Sequence, residues 1–186
     1  MKVLVLTTFA VSFLIFGWGL ASYFARPDGT PRKMRLLGMI GTTCMLIHLG
    51  VLSTSEIHRL EGAAASALYL AAVLVFGRAI RAAGQQRLNV AFTKRTPEFI
   101  VRSGPYRWVR HPIYTAYLLA WIAGVVAVQS WVLALTVPVL AALYVNAARA
   151  EEAMFARSRY AAEYRAYAGF TGMFFPRLPW NQAGSN

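Results

Sequence analysis

The sequence predicts an all-α integral membrane protein. Three observations carry that expectation. Of the 186 residues, 58% are hydrophobic and only 14% charged, whereas soluble domains average about 25% charged. The mean hydropathy is positive, +0.46. Apolar runs close to the roughly 20 residues that a spanning helix needs recur along the chain. The expected architecture is about five transmembrane helices, the last two forming a helical hairpin, followed by a C-terminal cytoplasmic amphipathic helix. One membrane-embedded domain over 1–186 is expected, with three anchor helices in 1–81 and the site-bearing half in 82–186.

Val3 to Phe24 is the first apolar run, long enough to span. Lys2 ahead of it and Gly19-Leu20-Ala21 resemble a signal peptide, but the length of the run and the later spans favour an uncleaved helix. Arg26 to Arg35 holds two prolines, a glycine and four basic residues, a helix-breaking loop. Leu36 to Ser53 is the second span. A mildly acidic loop with Glu56, Arg59 and Glu61 follows, then the alanine-rich third span, Ala63 to Arg81, suited to close helix packing.

Ala82 to Pro112 is the longest polar stretch, with Arg87, Lys94, Arg95, Arg102, Arg107 and Arg110 against Glu98. Ile113 to Val128 and Trp131 to Ala148 are then separated only by Gln129-Ser130, the tip of a helical hairpin whose second arm holds Pro138. Beyond Arg149 the chain turns polar and aromatic. Tyr160, Tyr164 and Tyr167 recur at helical spacing on one face. Thr171 to Pro179 is expected to fold back on the membrane surface.

If alternate loops share a side, all of the nineteen Lys and Arg except Lys2 and Arg59 fall on one face or at its edge. The positive-inside rule makes that face cytoplasmic, with the N-terminus outside and the C-terminus inside. The net charge of +12 is therefore accounted for by topology and anionic membrane lipids, and no nucleic-acid partner is expected. Cys44, the single cysteine, excludes an intramolecular disulfide and a CxxC metal site, and its apolar neighbours suit a small buried side chain. No metal site is expected. His48 is expected to be packed or hydrogen-bonded within the bundle.

A helical hairpin brings its two ends together, so His111 and Tyr114 at its entry should approach Glu151 and Glu152 at its exit. Ionisable groups at membrane depth are functional candidates because an unpaired charge there costs at least about 2.5–3.5 kcal/mol. The alternative for the glutamates is a pair of surface carboxylates balanced by Arg149. Taken alone, these residues point only to a membrane enzyme or transporter.

Gly104-Pro105-Tyr106-Arg107-Trp108-Val109-Arg110-His111-Pro112-Ile113-Tyr114, then Glu151-Glu152, Tyr164-Arg165-Ala166-Tyr167 and Pro176-Arg177-Leu178-Pro179, resemble the isoprenylcysteine carboxyl methyltransferase and phospholipid methyltransferase superfamily. The resemblance covers Asn89 to Pro179. It implies an S-adenosylmethionine-dependent methyltransferase of the cytoplasmic (bacterial inner) membrane that methylates a lipophilic acceptor, a small molecule or a lipid. The implied cofactor-binding residues are Tyr106, His111, Pro112, Ile113, Tyr114 and Glu151, with Glu98, Phe99, Ile100 and Val101 in the preceding binding stretch. Glu151, Glu152 and Arg149 are the candidates for catalysis. The spacing to Tyr164 leaves the equivalence of Glu151 and Glu152 open and favours Glu151.

Two departures stand out. Ala116 replaces a frequent glycine of the superfamily. Ala147 occupies the place of an arginine that eukaryotic members turn to the substrate carboxylate, so Arg149 takes its place or the acceptor carries no carboxylate. The rival expectations are a membrane-bound NADPH-dependent reductase of the sterol-reductase-like type, its cofactor phosphate held by the basic stretch from Arg87 to Arg110, and a non-enzymatic membrane protein.

Overall fold

The computed structural model describes residues 1–25, 29–84, 88–89, 92 and 97–177. The expected residues Arg26, Pro27, Asp28, Arg87, Lys94, Arg95, Leu178 and Pro179 lie outside them. The regular structure of the described residues is helical apart from one parallel pairing of Phe24–Ala25 with Leu88–Asn89 and an isolated bridge between Val109 and Gly172. The helices are α1 (Lys2–Tyr23), α2 (Arg32–Thr54), α3 (Arg59–Ala83), α4 (Pro112–Val128), α5 (Trp131–Ala156) and α6 (Ala161–Phe170), with a 3₁₀ turn at Gly104–Arg107 before α4. Helices α1, α2, α3 and α5 are long and apolar enough to cross a membrane. Helix α4 is equally apolar but has 17 residues. At 1.5 Å per residue that is about 26 Å, near the lower limit for a span. The chain is an integral membrane protein.

Pro31 precedes α2 and Pro112 occupies the first turn of α4, positions where the missing N–H of proline costs no intrahelical bond. Gln129 closes α4 in the left-handed conformation (φ 49°) and Ser130 opens α5, so the hairpin tip is the two residues the sequence suggested. Helix α5 runs two turns beyond Ala148, because Ala150 to Ala156 are mostly good helix formers. That extension carries Glu151 and Glu152 on a rigid element.

Two apolar clusters hold the bundle. One joins α1, α3 and α4, with fully buried Ala65, Ala72 and Ala79 of α3 beside Ala116, Ala120 and Ala123 of α4. These small side chains let the two backbones approach, as the alanine-rich third span anticipated. Ala116 is thus accommodated at a tight contact. Gly19 on α1 makes room for the Phe76 ring of α3, which a Cβ would strike. The other cluster joins α2, α4 and α5 through Leu37, Cys44, Leu118, Trp121, Leu140 and Tyr144.

Helix α2 buries only the narrow stripe Leu37, Cys44, His48 and Leu52, and exposes Leu36, Met39, Leu46, Ile47 and Leu49. His48 is fully buried, its Nε2 lying 2.9 Å from Thr136 Oγ1 of α5. Cys44 is also buried, as expected.

The tail departs from expectation. Thr171, Gly172 and Phe174 are buried against the segment before α4 rather than laid on the membrane surface. Val109 and Gly172 form a parallel bridge. Arg110 N–H donates to Gly172 O (2.8 Å), His111 N–H to Met173 O (3.1 Å) and Thr115 Oγ1 to Phe174 O (2.9 Å). The backbone donors that lead into α4 need acceptors once removed from water, and the returning tail provides them.

Candidate functional site

The motif segment enters α4 through two glycine-and-proline devices. Gly104 has φ 57°, a left-handed conformation that starts the 3₁₀ turn, and Pro105 at its first position presets the next residue. The turn buries Tyr106, whose carbonyl accepts the Tyr167 hydroxyl at 2.7 Å. Tyr164, one helical turn before Tyr167, stacks on Phe155 of α5 with ring centroids 4.3 Å apart. The tyrosine face of α6 is therefore what locks this helix to the site. Tyr160, at the N-terminus of α6, donates to Glu98 O at 2.5 Å.

The hairpin does bring its ends together. The Tyr114 hydroxyl donates to Glu151 Oε1 at 2.5 Å. His111 Nε2 lies 3.1 Å from Glu152 Oε1, and His111 Nδ1 is 3.6 Å from Glu151 Oε2. Both ring nitrogens face carboxylates, an arrangement suited to the doubly protonated imidazolium. Burial alone would lower the His111 pKa, but the negative charges of Glu151 and Glu152 and the hydrogen bond to Glu152 outweigh it, and the pKa lies above its ordinary value.

Arg110 completes the cluster. Its Nε donates to Glu152 Oε1 at 2.8 Å, and its Nη1 donates to the Ala168 carbonyl at 3.3 Å and to the Thr171 carbonyl. Only 10% of the side chain is exposed. Topology alone therefore does not account for this arginine; it ties α5, α6 and the tail to the motif segment. Nothing in its local sequence separates it from Arg107, which carries no such network.

A cavity of about 800 Å³ opens beside this cluster. At its polar end it is lined by every residue that the resemblance assigned to the cofactor: Glu98, Phe99, Ile100, Val101, Tyr106, His111, Pro112, Ile113, Tyr114 and Glu151. Glu151 lines the cavity, whereas Glu152 points into the ion-pair network with Arg110 and His111 and does not. Arg149 is exposed and outside the lining, and Ala147 is fully buried.

Sequence reading missed the other end of the cavity. It runs past Tyr117, Trp121 and Tyr144 to α1 and α2, where Phe13, Phe16, Gly17, Leu20, Leu37, Gly38, Gly41, Thr42 and Met45 form the wall. A Cβ at Gly17, Gly38 or Gly41 would meet nothing within 4 Å. The helices expected to be anchors thus build half of the chamber. Two tyrosines within apolar spans, Tyr117 and Tyr144, were the available signal. Tyr144 stacks on Tyr114 at 5.3 Å and accepts a hydrogen bond from Trp121 Nε1 at 3.0 Å.

A helical membrane protein with an aromatic-walled chamber beside an ion-paired cluster is the class of molecule defined so far. Residues 67–157 match the model of the isoprenylcysteine carboxyl methyltransferase (ICMT) family, which supports the resemblance to that superfamily of membrane methyltransferases. The matched segment runs from α3 to the end of α5 and contains the motif segment and both glutamates. No curated protein matches the chain.

Proposed function

We propose that the protein transfers a methyl group from S-adenosylmethionine to a lipophilic acceptor held in the bilayer. The observation that carries this reading is the continuity of one chamber. It joins the polar wall of Tyr106, His111, Tyr114 and Glu151 to an apolar wall on α1 and α2.

The side chains present suit the cofactor. Tyrosine faces attract a ligand cation, and the Glu151 carboxylate can accept hydrogen bonds from an ammonium group or from ribose hydroxyls. Tyr106, His111, Pro112, Ile113, Tyr114 and Glu151, with the strip from Glu98 to Val101, would hold it. The cofactor supplies a methyl group on a positively charged sulfur. Tyr114 fixes the rotamer of Glu151 by its hydrogen bond, and Arg110 and His111 fix the neighbouring Glu152 and with it the end of α5. The aromatic walls exclude water and align the partners, which is where most of the catalysis for a direct displacement can arise.

With positive charge on the face that carries the site, the cofactor enters from the cytoplasm and the C-terminus lies inside. The whole of 1–186 acts as one methyltransferase domain. S-adenosylhomocysteine is expected to bind the purified protein in isothermal titration calorimetry, and NADPH is not. Binding of NADPH alone would reject the proposal in favour of a reductase. Incubating membranes with methyl-labelled S-adenosylmethionine should then label a lipid-extractable product.

A further inference from the structure

The floor of the chamber rests on a layer of buried polar groups that the cofactor wall does not use. The deepest lining residues of α1, α2, α4 and α5 are Phe13, Met45, Trp121 and Tyr144. Trp121 is held by the Phe13 ring, 4.8 Å away, and by the hydrogen bond that its Nε1 donates to Tyr144. From beneath, the His48 ring meets it in an edge-to-face contact with centroids 5.0 Å apart. His48 lies one turn beyond Met45 on α2 and is fully buried, as is Tyr69 on α3.

The hydrogen bonds fix where the His48 proton sits. The groups packed around the ring, Trp121, Gly124, Tyr69 and Thr136, carry no charge, so the buried imidazole is neutral. Thr136 Oγ1 donates its one proton to the Leu133 carbonyl at 2.7 Å. It therefore accepts from His48 Nε2–H at 2.9 Å, which leaves Nδ1 as an acceptor. Among the described residues, Nδ1 and the Tyr69 hydroxyl are the two buried side-chain polar atoms without a hydrogen-bond partner. They converge over Gly124 of α4, where a Cβ would lie 2.3 Å from Nδ1 and 3.2 Å from the Tyr69 oxygen. The two atoms are thus no further apart than one bridging water spans, about 5.6 Å at two ordinary hydrogen-bond lengths. One donates and the other accepts, and an ordered water is what such converging buried groups hold.

We propose that His48 is a positioning residue for the acceptor end of the chamber. One bound water accepts the Tyr69 proton and donates to His48 Nδ1, and His48 Nε2–H donates to Thr136. This chain, from α3 through α2 to α5, holds the imidazole against Trp121. The indole in turn fixes Tyr144, which stacks on Tyr114, the partner of Glu151. Residue 124 is glycine because a side chain there would take the place of the imidazole. The consequence for turnover rests on the methyl-transfer reading above: an unsupported floor lets the acceptor sink away from the cofactor, and a misplacement of about 1 Å costs up to about 100-fold in rate.

The test uses the full-length protein in nanodiscs, with histidine and tryptophan labelled for nitrogen NMR. His48→Phe and Trp121→Phe identify the two signals by their loss. His48 should show a protonated Nε2, an unprotonated Nδ1 and a cross-peak from its ring to water. Tyr69→Phe, which removes one oxygen, should shift the Nδ1 signal and keep Nε2–H. In His48→Phe the Trp121 indole signal should move and methyl label in the lipid extract should fall at least about tenfold, with S-adenosylhomocysteine affinity changed by less than about twofold. Thr136→Ser, which keeps the acceptor, should retain the activity that Thr136→Val loses. A protonated Nδ1, an Nδ1 signal indifferent to Tyr69→Phe, a missing water cross-peak, or a Trp121 signal and turnover unchanged in His48→Phe overturns the inference. Tyr69→Phe and the Thr136 pair keep it open to refutation where His48→Phe does not fold. Wild-type protein that binds no S-adenosylhomocysteine overturns the methyl-transfer reading instead, and the histidine spectra, which need no cofactor, separate the two failures.

Discussion

The two ends of the chamber are built on opposite terms. At the polar end four elements are cross-tied: Arg110 and His111 reach Glu152, Tyr114 reaches Glu151, and the tail returns to pair with the motif segment. At the apolar end, α2 leans on its neighbours through a narrow stripe and offers Gly38 and Gly41 to open space. The comparison teaches that position is fixed where chemistry needs it and room is left where an acceptor chain must fit. Substitutions at the first end should therefore cost stability, and those at the second should cost function without stability.

The largest effect is expected from Arg110→Ala. It strips Glu152 of its better partner and leaves two carbonyls unpaired in a nearly buried place. Breaking a buried pair from one side costs about 3–5 kcal/mol. Thermal unfolding in detergent should show a large drop in Tm. The double variant with Glu152→Ala should fall well short of the sum of the single effects. Additive losses would mean that the two ends are not so differently built.

Glu151→Gln comes next and sharpens the division within the polar end. It removes the charge that faces the chamber but keeps the shape and the hydrogen bond from Tyr114. Hydrogen bonds to charged groups are worth about 1.5–3 kcal/mol, so affinity for S-adenosylhomocysteine should fall at least about tenfold with a much smaller change in Tm than for Arg110→Ala. Equal loss of stability in both variants would place Glu151 in the scaffold.

Filling the other end gives the converse. Gly38→Leu with Gly41→Leu adds side chains where a Cβ meets nothing within 4 Å. Leucine also favours a helix over glycine by somewhat under about 1 kcal/mol per site. The variant should keep its Tm and its S-adenosylhomocysteine affinity while turnover of a long-chain acceptor falls about tenfold. Unchanged turnover would move the acceptor away from α1 and α2.

This contrast also explains what could be read from the sequence. The hairpin, its two-residue tip and the meeting of His111 and Tyr114 with Glu151 and Glu152 follow from span lengths and the rarity of charge in lipid, so they were legible. Arg110 was not, because one of several arginines in a basic segment looks like any other until a carboxylate is seen beside it. The return of Thr171 to Phe174 was hidden for a related reason: its bonds are backbone to backbone and leave no trace in residue type. Least legible was the apolar end of the chamber. Phe13, Phe16, Leu37 and Met45 are ordinary span residues, and only the packing of α1 against α2 turns them into a wall.

The smallest expected effect concerns protonation and tests how firmly the polar end is tied. The pKa of His111 lies above its ordinary value of 6.5, since the two carboxylates outweigh the burial that would lower it. A group whose pKa rises on folding stabilises the folded state fully below its unfolded pKa and loses that contribution as pH climbs through the folded pKa. Stability should therefore decline as pH is raised from about 6.5, the unperturbed histidine value, through the higher pKa of the folded state. His111→Gln can still donate one hydrogen bond to a carboxylate but has no charge to lose, so its Tm should vary less over the same interval. Parallel pH profiles for the two proteins would show that the imidazolium does not hold the hairpin's ends together, leaving Arg110 as the tie.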